Sequence, residues 1–160
     1  MTVAVAAPLG VKKTVLVAAS QAIAFEVFTA RFAAWWPMPS HHIGQAECVD
    51  VVVEPRVGGR WFERGSDGSE CDWGRVLTWE PPGRVVLSWQ ISPDWQPDPD
   101  VHTEVHVRFT PKGDGRTRVD LEHRGFDSFG ERAEEMRAVF GSEHGWRGLL
   151  GRYAEAVTAG

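Results

Sequence analysis

The sequence predicts an α+β domain in which a curved antiparallel sheet of about seven strands wraps around a long C-terminal helix. Between residues 47 and 124, apolar and polar side chains alternate with the period of two that is typical of half-buried strands. Short turn-forming segments interrupt this alternation, and short connections make neighbouring strands antiparallel. An apolar stripe with helical spacing follows near the C-terminus, so a helix is available to cover the apolar face of the sheet.

The first part of the chain predicts one strand followed by two short helices. Residues 11–17 alternate well enough to form the strand. Ser20 is a favourable N-cap for a helix from residue 21 to about residue 29. The apolar stripe of that helix continues into Trp35 and Trp36, and Pro37 ends any further helix there because it lacks a backbone N–H.

The middle of the chain predicts a meander of strands. The candidate strands are residues 47–54, 60–64, 71–80, 84–91, 102–110 and 116–124. Glycine, proline and aspartate separate them at residues 58–59, 66–68, 81–83 and 112–115, which are typical turn compositions. In the last two strands one face is apolar and the other polar. The proline-rich segment 93–99 is longer than a tight turn, and we expect it to be a loop over the mouth of a cavity.

The C-terminal segment predicts a helix from about residue 131 to residue 157. One helical stripe contains the apolar residues Trp146, Leu149, Leu150, Tyr153 and Val157. Gly141 and Gly145 are expected to interrupt or kink this helix, because glycine weakens a helix interior.

Length and composition restrict the class of protein. A chain of 160 residues supports one core, so we expect a single domain over residues 1–160 with a flexible lead-in at 1–10. The net charge of −5 and the lack of a basic run argue against nucleic acid or a membrane surface as the partner. No apolar run is long enough to span a membrane and no signal peptide precedes the strand, which favours the cytoplasm. Cys48 and Cys71 are expected to be reduced thiols.

Tryptophan is over-represented, with eight residues against a single tyrosine. So much aromatic surface requires a large core, a lined cavity or a partner. Trp36, Trp89 and Trp146 are the candidate cavity residues, because they come from the helical corner, a central strand and the last helix. Plain core packing explains each of them as well as ligand contact does. Leu150 lies beside Trp146 on that helix and is included in the predicted ligand site.

Two polar residues are candidates for chemistry inside such a cavity. Strand alternation places His123 on the apolar face with Val119 and Leu121, either as a hydrogen-bonded core histidine or as a donor and proton carrier. Arg75 shares its alternation with Trp73 and would suit an acidic ligand if that face is inward. The opposite alternation of this strand is equally open.

Metal, cofactor and nucleophile motifs are not recognisable in the sequence. His102 and His106 lie four residues apart on a strand, roughly 13 Å at about 3.4 Å per residue, so they cannot chelate one ion. No Cys-x-x-Cys, nucleophile elbow, phosphate loop or dinucleotide fingerprint is present. We therefore expect neither a metal nor a cofactor.

Several motifs together resemble a known family. FAAWWP (32–37), VGGR (57–60), GRV (74–76), TRVDLEHRG (117–125) and GWRGLL (145–150) are similar, in order, to the SRPBCC (START-like, helix-grip) superfamily. Within it, the chain resembles the family of the C-terminal domain of the heat-shock protein 90 ATPase activator, over residues 11–158. This resemblance implies a deep apolar cavity between the sheet and the last helix.

Three functional hypotheses follow. The leading one is a binding protein that holds a hydrophobic, lipid-like or aromatic small molecule in the cavity. The first alternative is an enzyme of the cyclase, dehydratase or hydrolase type that uses His123 and Arg75. The second alternative, implied by the resemblance, is an interaction module for a chaperone ATPase. A homodimer is left open.

Overall fold

The computed structural model of the protein describes residues 10–159. Seven strands are present: β1 (Gly10–Val17), β2 (Cys48–Val53), β3 (Arg60–Gly65), β4 (Glu70–Glu80), β5 (Arg84–Trp89), β6 (Thr103–Gly113) and β7 (Arg116–Arg124). The α-helices are α1 (Gln21–Thr29), α2 (Ala133–Gly141) and α3 (Trp146–Ala159), and single 3₁₀ segments cover Phe32–Ala34 and Phe126–Arg132. Of the predicted lead-in at residues 1–10, only Gly10 falls within the described residues, and it begins β1.

The sheet confirms the predicted architecture. Its strand order is β1-β7-β6-β5-β4-β3-β2, and every neighbouring pair is antiparallel. The meander from β2 to β7 therefore follows the chain, and only β1 joins out of sequence at the free side of β7. The fold is the α+β helix-grip arrangement, in which the curved sheet surrounds the C-terminal helix.

Local chemistry explains the elements that close the sheet. The Ser20 hydroxyl accepts a hydrogen bond from the Ile23 backbone N–H at 3.3 Å, which caps the start of α1 as predicted. On β6 and β7 the alternating residues Val105, Val107, Phe109, Val119, Leu121 and His123 are all buried. Helix α3 covers this face and is tied to α1 where the Tyr153 hydroxyl donates to the Ala24 carbonyl at 2.6 Å.

The predicted C-terminal helix is interrupted, and the interruption lies where glycine predicted it. Helix α2 ends at Gly141 and α3 begins after Gly145, with residues 142–145 forming a turn between them. A Cβ on Gly145 would overlap with the carbonyl group of Phe140, so only glycine allows this close turn. The predicted stripe on α3 is buried throughout.

The described residues contain no helix that is long and apolar enough to cross a membrane.

Candidate functional site

An aromatic cavity of about 330 Å³ opens between the sheet and the broken C-terminal helix. Strands β4 and β5 form its floor, α2 and α3 form one side, and the loop of residues 37–44 forms the other. Five of the eight tryptophans line it: Trp36, Trp73, Trp89, Trp95 and Trp146. The volume is in the range of small-molecule sites. Most of the tryptophans of the chain therefore lie at this cavity.

Four of these tryptophans form a closed ring of aromatic contacts. The ring centroids of Trp36 and Trp73 are 5.1 Å apart, and those of Trp73 and Trp89 are 5.9 Å apart. Trp89 and Trp146 are separated by 6.3 Å, and Trp146 returns to Trp36 at 6.1 Å. All four side chains are at least nine-tenths buried. The four indoles therefore pack tightly against one another, and their aromatic surface forms part of the cavity wall.

Hydrogen bonds behind the wall orient three of the four indoles. The Trp36 N–H donates to the His41 carbonyl at 2.8 Å, and the Trp73 N–H donates to Glu63 Oε1 at 2.9 Å. The Trp146 N–H donates to His123 Nδ1 at 3.0 Å. Because these polar atoms are satisfied by the protein, the rings present hydrocarbon to the cavity. The buried Trp89 N–H is the exception, since it has no hydrogen-bond partner among residues 10–159.

His123 lies behind the wall as a neutral structural residue. Its Nδ1 accepts from Trp146, so the proton resides on Nε2, which donates to the Thr103 hydroxyl at 2.9 Å. Thr103 in turn donates to the Trp89 carbonyl at 2.8 Å. Burial lowers the pKa of His123 to about 3. The structure matches the hydrogen-bonded core histidine of the two expected roles; the proton-carrier role is not supported, because both nitrogens are engaged and His123 does not line the cavity.

Arg75 is a correction, because it is exposed and does not line the cavity. A β-bulge causes this: Trp61 on β3 pairs with Gly74 and Phe62 pairs with Asp72, so Trp73 is an extra residue on β4. Trp73 and Gly74 are consequently both buried, and Arg75 turns outward. The prediction that Arg75 shares a face with Trp73 is wrong, since simple alternation fails at a bulge.

The structure distinguishes the remaining predicted residues by position. Trp36, Trp89 and Trp146 line the cavity, as does Leu149. Leu150 is buried in the core but is not part of the cavity wall. Trp95, in the predicted proline-rich loop, lies at the mouth, where it is 41% exposed and 5.9 Å from the Phe140 ring.

Sequence reasoning missed the polar residues of the mouth. His41, His42 and His144 line the cavity, and nothing periodic identifies loop residues. Glu63 lies on β3 and is 2% exposed. The sequence contains a pattern from which its burial could have been predicted. Glu63 shares strand alternation with Trp61, and a carboxylate on an apolar face requires buried donors.

Within residues 10–159 the structure shows the surroundings of the cysteines and of the side chains that can ligate metals. Cys48 and Cys71 are free thiols, the first buried and the second half-buried. Burial, followed by the nearby Glu63 charge, raises the pKa of both thiols, so neither is an activated nucleophile. No group of three or more His, Cys, Asp or Glu side chains in that range is arranged to hold a metal ion.

A curved antiparallel sheet that grips a C-terminal helix above an aromatic cavity defines a helix-grip protein of the SRPBCC type. The chain belongs to the family described as Activator of Hsp90 ATPase homolog 1-like protein, whose model matches residues 18–157. No curated protein matches the sequence.

Solved structures extend this assignment. The anthrahydroquino-γ-pyrone synthase Txn09 is 43% identical, with a TM-score of 0.64, over 92% of this chain and 96% of that one. The self-sacrificing resistance protein CalC from Micromonospora echinospora is 29% identical, with a TM-score of 0.70, over 94% of each chain. Protein NE0264 from Nitrosomonas europaea, at 17% identity and a TM-score of 0.66 over 94% of this chain and 95% of that one, shares the fold.

Proposed function

We propose that this protein binds a flat, polycyclic aromatic small molecule of the anthraquinone type in the tryptophan-lined cavity. The observation that carries the proposal is the cluster of four contacting indoles, Trp36, Trp73, Trp89 and Trp146, that lines a cavity of about 330 Å³. Indole faces stack well on extended aromatic systems and bury them from water. The 43% identity to a protein named as an anthrahydroquino-γ-pyrone synthase supports this ligand class over a lipid chain.

Two adjacent leucines on α3 provide a matched test of the site. Leu149 and Leu150 are both buried, but only Leu149 lines the cavity. We expect Leu149→Ala to weaken binding of 2-hydroxyanthraquinone about fivefold, because it removes roughly 1 kcal/mol of apolar contact. Leu150→Ala is expected to lower the melting temperature and leave the Kd unchanged. Quenching of tryptophan fluorescence measures both affinities, and absence of quenching in the wild-type protein contradicts the proposed function.

Trp95 is expected to control how fast a ligand leaves. Its backbone has a φ of 60°, which is unfavourable for tryptophan and natural for glycine. Trp95→Gly therefore removes the ring at the mouth and relieves the backbone. We predict at least a fivefold faster dissociation of 2-hydroxyanthraquinone in stopped-flow displacement, with no loss of thermal stability. An unchanged dissociation rate would show that Trp95 does not cover the mouth.

A second candidate function is ring closure on a bound aromatic substrate, favoured by the extent of the likeness to Txn09. Neither His123 nor Arg75 serves this alternative, because the first is neutral and fully hydrogen-bonded and the second is outside the cavity. Catalysis would then depend on the histidines at the mouth. Incubation with the substrate of Txn09, followed by mass spectrometry and with Txn09 as the positive control, separates turnover from simple binding. The chaperone-partner alternative stays a prediction.

A further inference from the structure

The histidines of the mouth differ in the hydrogen bonds that they make. His41 Nε2 lies 2.7 Å from the His144 carbonyl, and its Nδ1 lies 2.8 Å from the Ser40 hydroxyl. Because a carbonyl only accepts, Nε2 carries the proton and Nδ1 accepts from the serine. Both ring nitrogens are thus occupied, and His41 ties the loop of residues 37–44 to the turn between α2 and α3.

His42 is engaged at one nitrogen only. Its Nδ1 lies 3.0 Å from the Gly44 carbonyl, and this contact is a hydrogen bond only if Nδ1 carries the proton. With that proton on Nδ1, the other ring nitrogen, Nε2, is the one that can accept a hydrogen bond. No hydrogen-bond partner of Nε2 occurs among residues 10–159, and His42 is a half-buried part of the cavity wall. The His42 ring therefore has an acceptor nitrogen that no residue in this range occupies.

Glu63 holds the peptide that orients His42. Glu63 Oε1 accepts from the Ile43 N–H at 2.6 Å, and Oε2 accepts from the Gly44 N–H at 3.1 Å. The Gly44 peptide is thus held on its N–H side by a buried carboxylate and on its carbonyl side by the His42 ring. A Cβ on Gly44 would press against Glu63 and Cys71, so the loop has little room to shift. These contacts hold the Gly44 carbonyl in place, so they favour the His42 tautomer that carries its proton on Nδ1.

The indole N–H of Trp89 does not add a donor to this site. Trp89 lines the cavity, but its N–H is fully buried and lacks a partner in the part of the chain that the structure describes. Because the nitrogen has no exposed surface, a molecule in the cavity does not reach it. The preference for one ligand over another is therefore argued from His42.

We propose that His42 is the specificity-determining residue of the cavity and that its Nε2 accepts a hydrogen bond from an acidic hydroxyl group on the aromatic ligand. Glu63 acts as a positioning residue through the Gly44 peptide. The proposal rests on the proposed function and deepens it: the protein selects hydroxylated polycyclic aromatics over their capped analogues.

The test compares 2-hydroxyanthraquinone with 2-methoxyanthraquinone, which has the same rings but no hydroxyl proton. We expect the wild-type protein to bind the hydroxy compound about tenfold more tightly, the equivalent of one net hydrogen bond. His42→Asn keeps a donor for the Gly44 carbonyl but is too short to reach the ligand, so the two compounds should bind equally. His42→Gln places an amide oxygen near the position of Nε2 and should restore part of the preference.

The visible absorption of bound 2-hydroxyanthraquinone gives an independent signature. Its band moves to longer wavelength when the hydroxyl donates to a base, and we expect this shift in the wild-type protein and not in His42→Asn. Glu63→Gln should reduce both the shift and the preference. His106→Asn, on the outer face of the sheet, should change neither.

The outcomes separate the two proposals. If both anthraquinones bind and His42→Asn keeps the tenfold preference and the shifted band, His42 is not the acceptor, whereas the proposed function stands. If neither compound quenches the wild-type fluorescence, the proposed function fails and the assignment of His42 fails with it. Melting curves of each variant show that the comparison is made on folded protein.

Discussion

Replacing His123 with glutamine is expected to flatten the loss of stability that the wild-type protein undergoes in acid. The unfolded chain binds a proton at this residue below its ordinary pKa of 6.5, whereas burial lowers the pKa in the folded protein to about 3. Between these two pKa values the unfolded chain binds more protons than the folded protein, so lowering the pH favours unfolding. Above pH 6.5 the contribution of neutral His123 to the free energy of unfolding is fully present. Below pH 6.5 the free energy of unfolding falls by up to about 1.4 kcal/mol for each pH unit, and this fall ends at about pH 3.

Urea denaturation at pH 7, 6, 5 and 4 measures this effect. The His123→Gln variant lacks the hydrogen bonds that the imidazole makes with Trp146 and Thr103. We therefore expect its free energy of unfolding at pH 7 to be lower by about 2 kcal/mol. Its free energy of unfolding should nevertheless fall less steeply between pH 6 and pH 5 than that of the wild type. Leu121→Ala, a buried neighbour on β7, is the matched control, because it loses stability and keeps the acid slope. Equal slopes in all three proteins would contradict the assignment.

Substitution of Gly74 with alanine is expected to disrupt the sheet and the cavity together. A Cβ at this position would overlap with the Ser88 carbonyl oxygen, which belongs to the backbone of β5 and cannot rotate away. The strands would have to separate where the Gln90 N–H donates to the Trp73 carbonyl at 2.7 Å. We expect a loss of at least about 3 kcal/mol, measured by urea denaturation, with weaker ligand binding because Trp73 moves.

Gly151→Ala is the control for this prediction. Gly151 lies on the exposed side of α3, and nothing would contact an added Cβ. Alanine is the better helix former, so this variant should be more stable than the wild type by about 0.5–1 kcal/mol. If Gly74→Ala is as stable as Gly151→Ala, the close approach of β4 and β5 does not constrain residue 74.

Much of the fold follows from local patterns that the sequence contains. The alternation on β6 and β7 identifies the buried face, because every second residue of a strand points the same way. The stripe from Trp146 to Val157 identifies the buried side of α3 by the same kind of geometry. Gly141 and Gly145 mark the break between the helices, and Ser20 marks the start of α1. Each of these features depends on residues close together in the chain.

The candidate site was only partly predictable. Large aromatic residues on elements that must converge predict Trp36, Trp89 and Trp146 as cavity residues. Alternation alone leaves both faces of β4 open for Arg75, and the bulge at Trp73, which the alternation does not reveal, separates the two residues. The histidines of the mouth lie in loops, where no periodicity reports which side chains face inward.

The sequence by itself determined the α+β architecture and the buried faces of its strands and last helix. These follow from short-range spacing and from the need to bury apolar surface. Only the tertiary structure decided which polar groups reach the cavity. His123 became a neutral support beneath the wall, Arg75 turned to solvent, and a buried Glu63 oriented His42 through contacts about twenty residues apart. The positions of these side chains depend on contacts between segments that are distant in the sequence, and such contacts form only when the chain folds.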